Sequence, residues 1–149
     1  PIAVNPLTNI IYAGNFNNGK ISVINGTNNE IIGNITLSEK SLAVDYKKNM
    51  IYAAGGPISK DGESHYVSII DGSNDTIINK ILSGGVIHRV AVNPVTGVVY
   101  MVNSGPVPSV TITDNNLTNL QTTPEFPFAI SVLLASITSL IIFYRIKFR

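Results

Sequence analysis

Apolar residues along this chain come in two arrangements. From residue 1 to about 114 they form short β-branched runs such as Ile10-Ile11-Tyr12 and Val98-Val99-Tyr100, broken every few positions by Asn, Asp, Gly and Pro. Runs of that length bounded by turn formers predict strands. From Phe126 to Tyr144 the pattern changes to one long apolar segment without a charge. As a helix that segment measures roughly 28 Å, close to the ~30 Å hydrocarbon core of a bilayer. Ser131, Ser136, Thr138 and Ser139 interrupt it, but each hydroxyl can bond a backbone carbonyl one turn back. A core helix of a soluble domain would show a polar face at a 3.6-residue period, and small hydroxyls do not make one. Arg145, Lys147 and Arg149 follow directly, and positive residues beside a span mark the cytoplasmic side. The pattern therefore predicts an outer domain, a transmembrane helix over 126–144 and a basic cytoplasmic tail over 145–149.

The strand-forming part repeats itself. Ala3-Val4-Asn5-Pro6-Leu7-Thr8-Asn9-Ile10-Ile11-Tyr12 returns as Ala43-Val44-Asp45-Tyr46-Lys47-Lys48-Asn49-Met50-Ile51-Tyr52, and again, after a longer interval, as Ala91-Val92-Asn93-Pro94-Val95-Thr96-Gly97-Val98-Val99-Tyr100. A second block follows each of the first two, Ile21 to Ile35 matching Val67 to Ile81, and a third copy begins at Val110 and fades by Asp114. Each unit reads as four strands. Asn-Pro with Thr-Asn or Thr-Gly makes the first turn, and Asn25-Gly26 or Asp71-Gly72 makes a later one of the kind that favours positive φ. Four strands in a unit of about 40–50 residues is the arithmetic of a propeller blade. The expectation is all-β: blades over 3–42 and 43–90, an incomplete blade over 91–114, and a juxtamembrane linker over 115–125.

Asn5-Pro-Leu-Thr-Asn-Ile-Ile-Tyr12, with Ser22-Val-Ile-Asn-Gly-Thr-Asn28 behind it, resembles the YVTN family of β-propeller repeats found in archaeal surface-layer and other secreted proteins. The family's Tyr-Val-Thr-Asn strand here reads Tyr12-Ala-Gly-Asn15, Tyr52-Ala-Ala-Gly55 and Tyr100-Met-Val-Asn103. The resemblance implies a fold and says little about activity, since one scaffold hosts many roles. About two and a half blades do not close a ring of the usual four to eight. The chain is therefore expected to be a C-terminal fragment whose remaining blades precede Pro1 or come from another chain, with an open sheet edge at Ile2. Farther on, Pro124-Glu125-Phe126-Pro127, an apolar helix and a basic tail resemble the three-part archaeal sorting signals that archaeosortases process. Both prolines keep the motif extended above the membrane, as a protease requires. A plain stop-transfer anchor with a proline-bounded linker has the same outline.

Charge and composition narrow the partners. Of ten Lys and Arg, three lie in the tail, leaving seven against nine Asp and Glu in the outer part, a net −2. Such a surface has no footprint for a phosphate backbone, so nucleic acid is not an expected partner. The absence of Cys excludes disulfides, thiolate metal sites and a thiol nucleophile. Asn25, Asn34, Asn74 and Asn116 each open an Asn-x-Thr acceptor for glycosylation, usable outside the cell. Asn25 and Asn74 fall in projecting turns and are favoured over the strand residue Asn34.

Catalytic chemistry is sparse. His65 and His88 are the two histidines, and neither belongs to a metal or triad pattern. His88 and Arg89 precede an inner strand, where propeller loops line the channel mouth, and Arg89 there suits an anionic ligand as well as bulk water. The glycines at 55, 56, 84 and 85 fit turns and no phosphate-binding fingerprint. Between Tyr52 and the next strand, the second unit inserts residues 56–65, six more than the first. Lys60, Asp61, Glu63 and His65 in that insertion offer a binding loop, or else a solvated tip. No cofactor or metal is implied. The expected function is a non-enzymatic, membrane-anchored cell-surface propeller that meets protein or glycan partners. The alternatives are a propeller enzyme of lactonase or quinoprotein type, or a ligand sensor.

Overall fold

The computed structural model describes residues 1–55, 66–83, 85–104, 109–113 and 121–124, the side chains of 109–112 and 121–124 excepted. Among the described residues, twelve strands form three antiparallel sheets of four, each a simple meander in chain order. Sheet 1 holds β1 (Ile2–Asn5), β2 (Ile10–Asn15), β3 (Lys20–Asn25) and β4 (Glu30–Thr36). Sheet 2 holds β5 (Ser41–Asp45), β6 (Met50–Ala54), β7 (Tyr66–Asp71) and β8 (Thr76–Leu82). Sheet 3 holds β9 (Val86–Asn93), β10 (Val98–Ser104), β11 (Ser109–Thr113) and β12 (Gln121–Pro124). The first strands lie side by side, β5 between β1 and β9.

Two expectations are corrected. Sheet boundaries fall at 2–36, 41–82 and 86–124, so that residues 41 and 42 and 86–90 open the second and third sheets. The third sheet is also complete in strands, because β12 lies in the stretch expected to be a linker and pairs with β11 from Ser109↔Pro124 to Ile112↔Gln121. The repeat fades there because an outer strand needs backbone partners more than apolar side chains. Pro124, the first residue of the sorting-like motif, closes that outer strand, where a missing N–H is tolerated. Glu125, Phe126 and Pro127, the apolar segment 126–144 and the tail 145–149 lie outside the described residues. Among the described residues no helix is long and apolar enough to cross a membrane.

The cores lie between sheets. Tyr12, Ile21, Val23 and Ile35 of sheet 1 pack against Leu42, Ile51, Ala53 and Ile70 of sheet 2. Tyr52, Ala54, Val67, Ile69 and Ile81 point the other way, onto Ile87, Val90, Val99 and Met101 of sheet 3. Strand periodicity explains the division, since Ile51 and Ala53 face one neighbour while Tyr52 and Ala54 face the other. Sheet 2 is therefore apolar on both faces. Each large buried aliphatic contributes roughly 2 kcal/mol of burial to these joints.

The turns repeat with a shared chemistry. The Oδ1 of Asn5 accepts from the backbone N–H of Leu7 and Thr8 at 3.0 and 3.3 Å. Asp45 holds Lys47 and Lys48 in the same way, and Asn93 holds Val95 and Thr96. These Asx turns end on a left-handed residue, Asn9, Asn49 or Gly97. The Asn-Gly and Asp-Gly turns differ from expectation. Positive φ falls on Asn29 (61°) and Asp75 (58°), not on Gly26 or Gly72. Gly26 and Gly72 are required by proximity instead. A Cβ at Gly26 would sit 2.7 Å from the carbonyl oxygen of Asn9, and one at Gly72 2.8 Å from that of Asn49.

Candidate functional site

At one end of the sheets the crossovers between them run past the beginnings of the inner strands. Lys40 N–H donates to Ala54 O at 2.8 Å, Ser38 Oγ to Phe16 O at 3.0 Å, and Ser83 Oγ to Gly85 O at 2.6 Å. Val90 N–H donates to Ser41 Oγ at 3.2 Å, joining sheets 3 and 2 near the start of β5. Gly55, with φ of 108°, lies so close to the crossover that a Cβ would stand 2.9 Å from Lys40 N. Gly55 N–H reaches Tyr66 O at 3.4 Å, so the two residues that flank 56–65 meet at this same end.

His88 and Arg89 stand here on β9, the inner strand of sheet 3. An unbroken strand would send them to opposite faces. The register instead shifts between Val102 and Asn103, with Arg89 opposite Val102 and Ile87 opposite Asn103, so His88 is the extra residue of a bulge. Both side chains are exposed while Ile87 and Val90 on either side are buried. His88 Nε2 lies 2.8 Å from Ser104 Oγ, and Arg89 Nη1 donates back to His88 O at 2.9 Å. Lys60, Asp61, Glu63 and His65 lie outside the described residues.

Sequence reasoning missed Glu39. Set in the crossover from β4 to β5, it is completely buried, and neither carboxylate oxygen has a hydrogen-bond partner among the described residues. Burial pushes its pKa up to about 7. Gly14 makes the space for it, since a Cβ there would overlap Glu39 Oε1. Neither repeat block includes this position, so periodicity had nothing to report. A glycine opposite a short charged crossover was the one available signal.

Three glycosylation acceptors lie among the described residues, Asn25 at the end of β3, Asn34 within β4 and Asn74 between β7 and β8. Asn74 is exposed, and its Oδ1 accepts from Thr76 N–H at 3.1 Å and from Thr76 Oγ at 2.6 Å. Asn25 is half-buried with Oδ1 accepting from Thr27 N–H at 2.8 Å, whereas Asn34 on β4 is exposed and accepts from Ser22 Oγ at 3.3 Å. Exposure thus does not separate Asn74 from Asn34 and places Asn25 below both. Asn116 lies outside the described residues. Among the described residues no group of three or more His, Asp or Glu is placed to hold a metal ion.

Three four-stranded meanders, packed face to face with their first strands together, have counterparts among solved structures. The fold is part of a β-propeller. Hydrazine synthase of Kuenenia stuttgartiensis matches 81% of this chain with a TM-score of 0.67 at 14% identity. The WD40 domain of Neurospora crassa Pan2 matches 81% with 0.64 at 17% identity, and the β-propeller domain of Myceliophteria thermophila Cps50 (Swd1) matches 86% with 0.63 at 11% identity. At such identities the likeness is one of fold. The chain spans 34 to 40% of the length of these three proteins. No family model matches the chain, and no curated protein matches it either.

Proposed function

We propose that this propeller segment belongs to a cell-surface protein of the YVTN type, anchored by residues 126–144, that binds a protein or glycan partner without catalysing a reaction. The observation that carries this reading is the β9 bulge, which turns His88 and Arg89 outward together at the end of the sheets where the 56–65 insertion is rooted. A cation and an imidazole side by side suit carboxylates or sulfates on an envelope protein or glycan. The binding test uses isolated cell envelopes as the probe. Arg89→Ala with His88→Ala is expected to lower retention of the purified chain on them at least fivefold, a loss of about 1 kcal/mol. Unchanged retention overturns the binding role.

Anchoring and processing form part of the same proposal. The apolar segment followed by Arg145, Lys147 and Arg149 supports a cytoplasmic C-terminus, and Pro124-Glu125-Phe126-Pro127 supports recognition by an archaeosortase-like enzyme. Intact mass of the native protein tests both this and glycosylation. Processing predicts a C-terminus near Glu125, and a chain still ending at Arg149 removes it. Added glycan mass is expected first at Asn74, and bare masses at all acceptors remove the glycoprotein reading.

One contact favours a second, enzymatic reading. The 2.8 Å separation of His88 Nε2 and Ser104 Oγ is that of a base and a nucleophile. Turnover of chromogenic esters or lactones, abolished by both Ser104→Ala and His88→Ala, would establish it in place of the binding role.

A further inference from the structure

The two ends of the sheets differ in the charges they carry. At the end of the crossovers, Lys20 opens β3, Lys40 stands between β4 and β5, Lys80 comes two residues before the end of β8, and Arg89 follows the bulge of β9. All four are exposed, and Glu39, the one carboxylate among the described residues of that end, is buried. The opposite end carries Glu30, Asp45, Asp71 and Asp75 against Lys47 and Lys48. Lys60, Asp61, Glu63 and Glu125 lie outside the described residues.

Apolar groups are exposed at the cationic end as well. Phe16, in the turn between β2 and β3, is 38% exposed, and Lys40 Nζ lies 5.8 Å from its ring centre. Lys80 Nζ lies 4.7 Å from the ring centre of Tyr66, which opens β7. Leu82, the last residue of β8, is 70% exposed although both faces of its sheet are covered. Aromatic rings beside lysines, with the ammonium groups in water, are the composition of a membrane interface.

The last strand ends on this side too. Pro124 of β12 stands opposite Ser109, Ser109 opposite Asn103, and Asn103 opposite Ile87. One transverse row of sheet 3 therefore runs from Pro124 to the neighbour of His88, three strand spacings or roughly 14 Å away. Phe126, where the apolar segment begins, is two residues past Pro124, a reach of at most about 7 Å. A bilayer has about 6 Å of headgroup on each side of its hydrocarbon core. With 126–144 inserted, that row lies at the level of the headgroups.

We infer that this end of the sheets lies against the membrane that anchors the chain, with Lys20, Lys40, Lys80 and Arg89 on acidic lipid headgroups and Phe16 and Leu82 seated between them. The inference rests on the anchoring reading above, and it names the partner of the His88 and Arg89 site as an acidic glycan carried on lipid. The acidic end, with the acceptors Asn25 and Asn74, then points away from the bilayer.

The chain has no Cys, so one introduced thiol carries one fluorophore. The full chain is labelled at Asn17→Cys, in the exposed turn beside Phe16, or at Asn28→Cys, in the exposed turn at the other end of β3, about 20 Å away. It is reconstituted in phosphatidylcholine vesicles that contain the sulfated glycolipid sulfatide and a nitroxide on the lipid headgroup. Asn17 belongs to sheet 1, two sheets from the anchor, and meets headgroups only when the whole end is apposed. Quenching at Asn17 is expected to exceed that at Asn28 about threefold, since the headgroup layer is much thinner than the distance between them. Omitting sulfatide, or combining Lys40→Glu with Arg89→Glu, is expected to lower that excess by about half or more. Both substituted sites are exposed, and unchanged circular dichroism shows that the fold is kept. Release of the chain by alkaline carbonate removes the anchoring reading and this inference with it. A chain that stays in the vesicles with equal quenching at the two positions overturns the inference alone. An excess at Asn17 that neither change lowers overturns the assignment to acidic headgroups.

Discussion

Glu39 is the residue whose chemistry departs furthest from its sequence context. Its carboxyl titrates at about 7 in the fold against an ordinary 4.5. Between those values the folded protein holds a proton that the unfolded chain has released, so stability is full below about 4.5 and is lost as pH rises through 7. Glu39→Gln is accordingly expected to gain about 2 kcal/mol at alkaline pH and almost nothing at acidic pH, read from chemical denaturation at the two pH values. An equal effect at both would show that the carboxyl is solvated. Gly72 belongs to the same scale. Gly72→Ala drives a methyl against Asn49 and is expected to cost about 1–3 kcal/mol, although φ at Gly72 is an ordinary negative one. Asn-Gly and Asp-Gly were legible as turns, but the reason for their glycines was not. That reason is a neighbouring turn, at Asn9 for Gly26 and at Asn49 for Gly72, too far along the chain for a local pattern to contain it.

Among elements, the packed joint between sheets governs behaviour. Tyr12, Tyr52 and Tyr100 are interchangeable in the repeat, yet the first two are fully buried and the third is 37% exposed. Strand positions were readable because apolar runs and Asx turns are local. Burial was not, because it depends on whether another sheet follows. Asn49→Gly isolates one pin of the joint, the 2.7 Å hydrogen bond from Asn5 Nδ2 to Asn49 Oδ1, since glycine keeps the left-handed backbone and removes that acceptor. The expected loss is about 1–3 kcal/mol in thermal or chemical unfolding. Gly97 makes this change naturally between sheets 2 and 3, and the Oδ2 of buried Asp45, the counterpart of Asn5, has no partner among the described residues. Ile51→Ala, in the apolar part of the first joint, is expected to cost about 2–5 kcal/mol, against less than about 0.5 for Ile78→Ala on the exposed outer strand. The bulge at His88 was invisible in the sequence for a related reason, because it is a mismatch of register between β9 and β10 and belongs to neither strand alone.

At the scale of the whole molecule, the three sheets and two joints among the described residues give an uneven distribution of stability. Sheet 2 is covered on both faces and its neighbours on one, so amide exchange is expected to be slowest in β6 and β7 and fastest in β4, where Ile31 and Ile32 face solvent. Uniform exchange across the sheets would contradict this arrangement. The hairpin contacts also set a chemical lifetime. Asparagine followed by glycine is prone to deamidation because the glycine nitrogen attacks the asparagine side-chain carbonyl. In this fold the nitrogen of Gly26 is bound to Asn9 O at 2.8 Å, and the side-chain carbonyl of Asn25 is bound to Thr27 N–H at 2.8 Å. Both reactants are thereby held out of reach of one another, and Asp71-Gly72 is restrained likewise through Gly72 N–H and Asn49 O at 2.8 Å. The paired turns therefore act as preservatives, and isoaspartate accumulating at residue 25 would record how long a given molecule has spent with its hairpins apart.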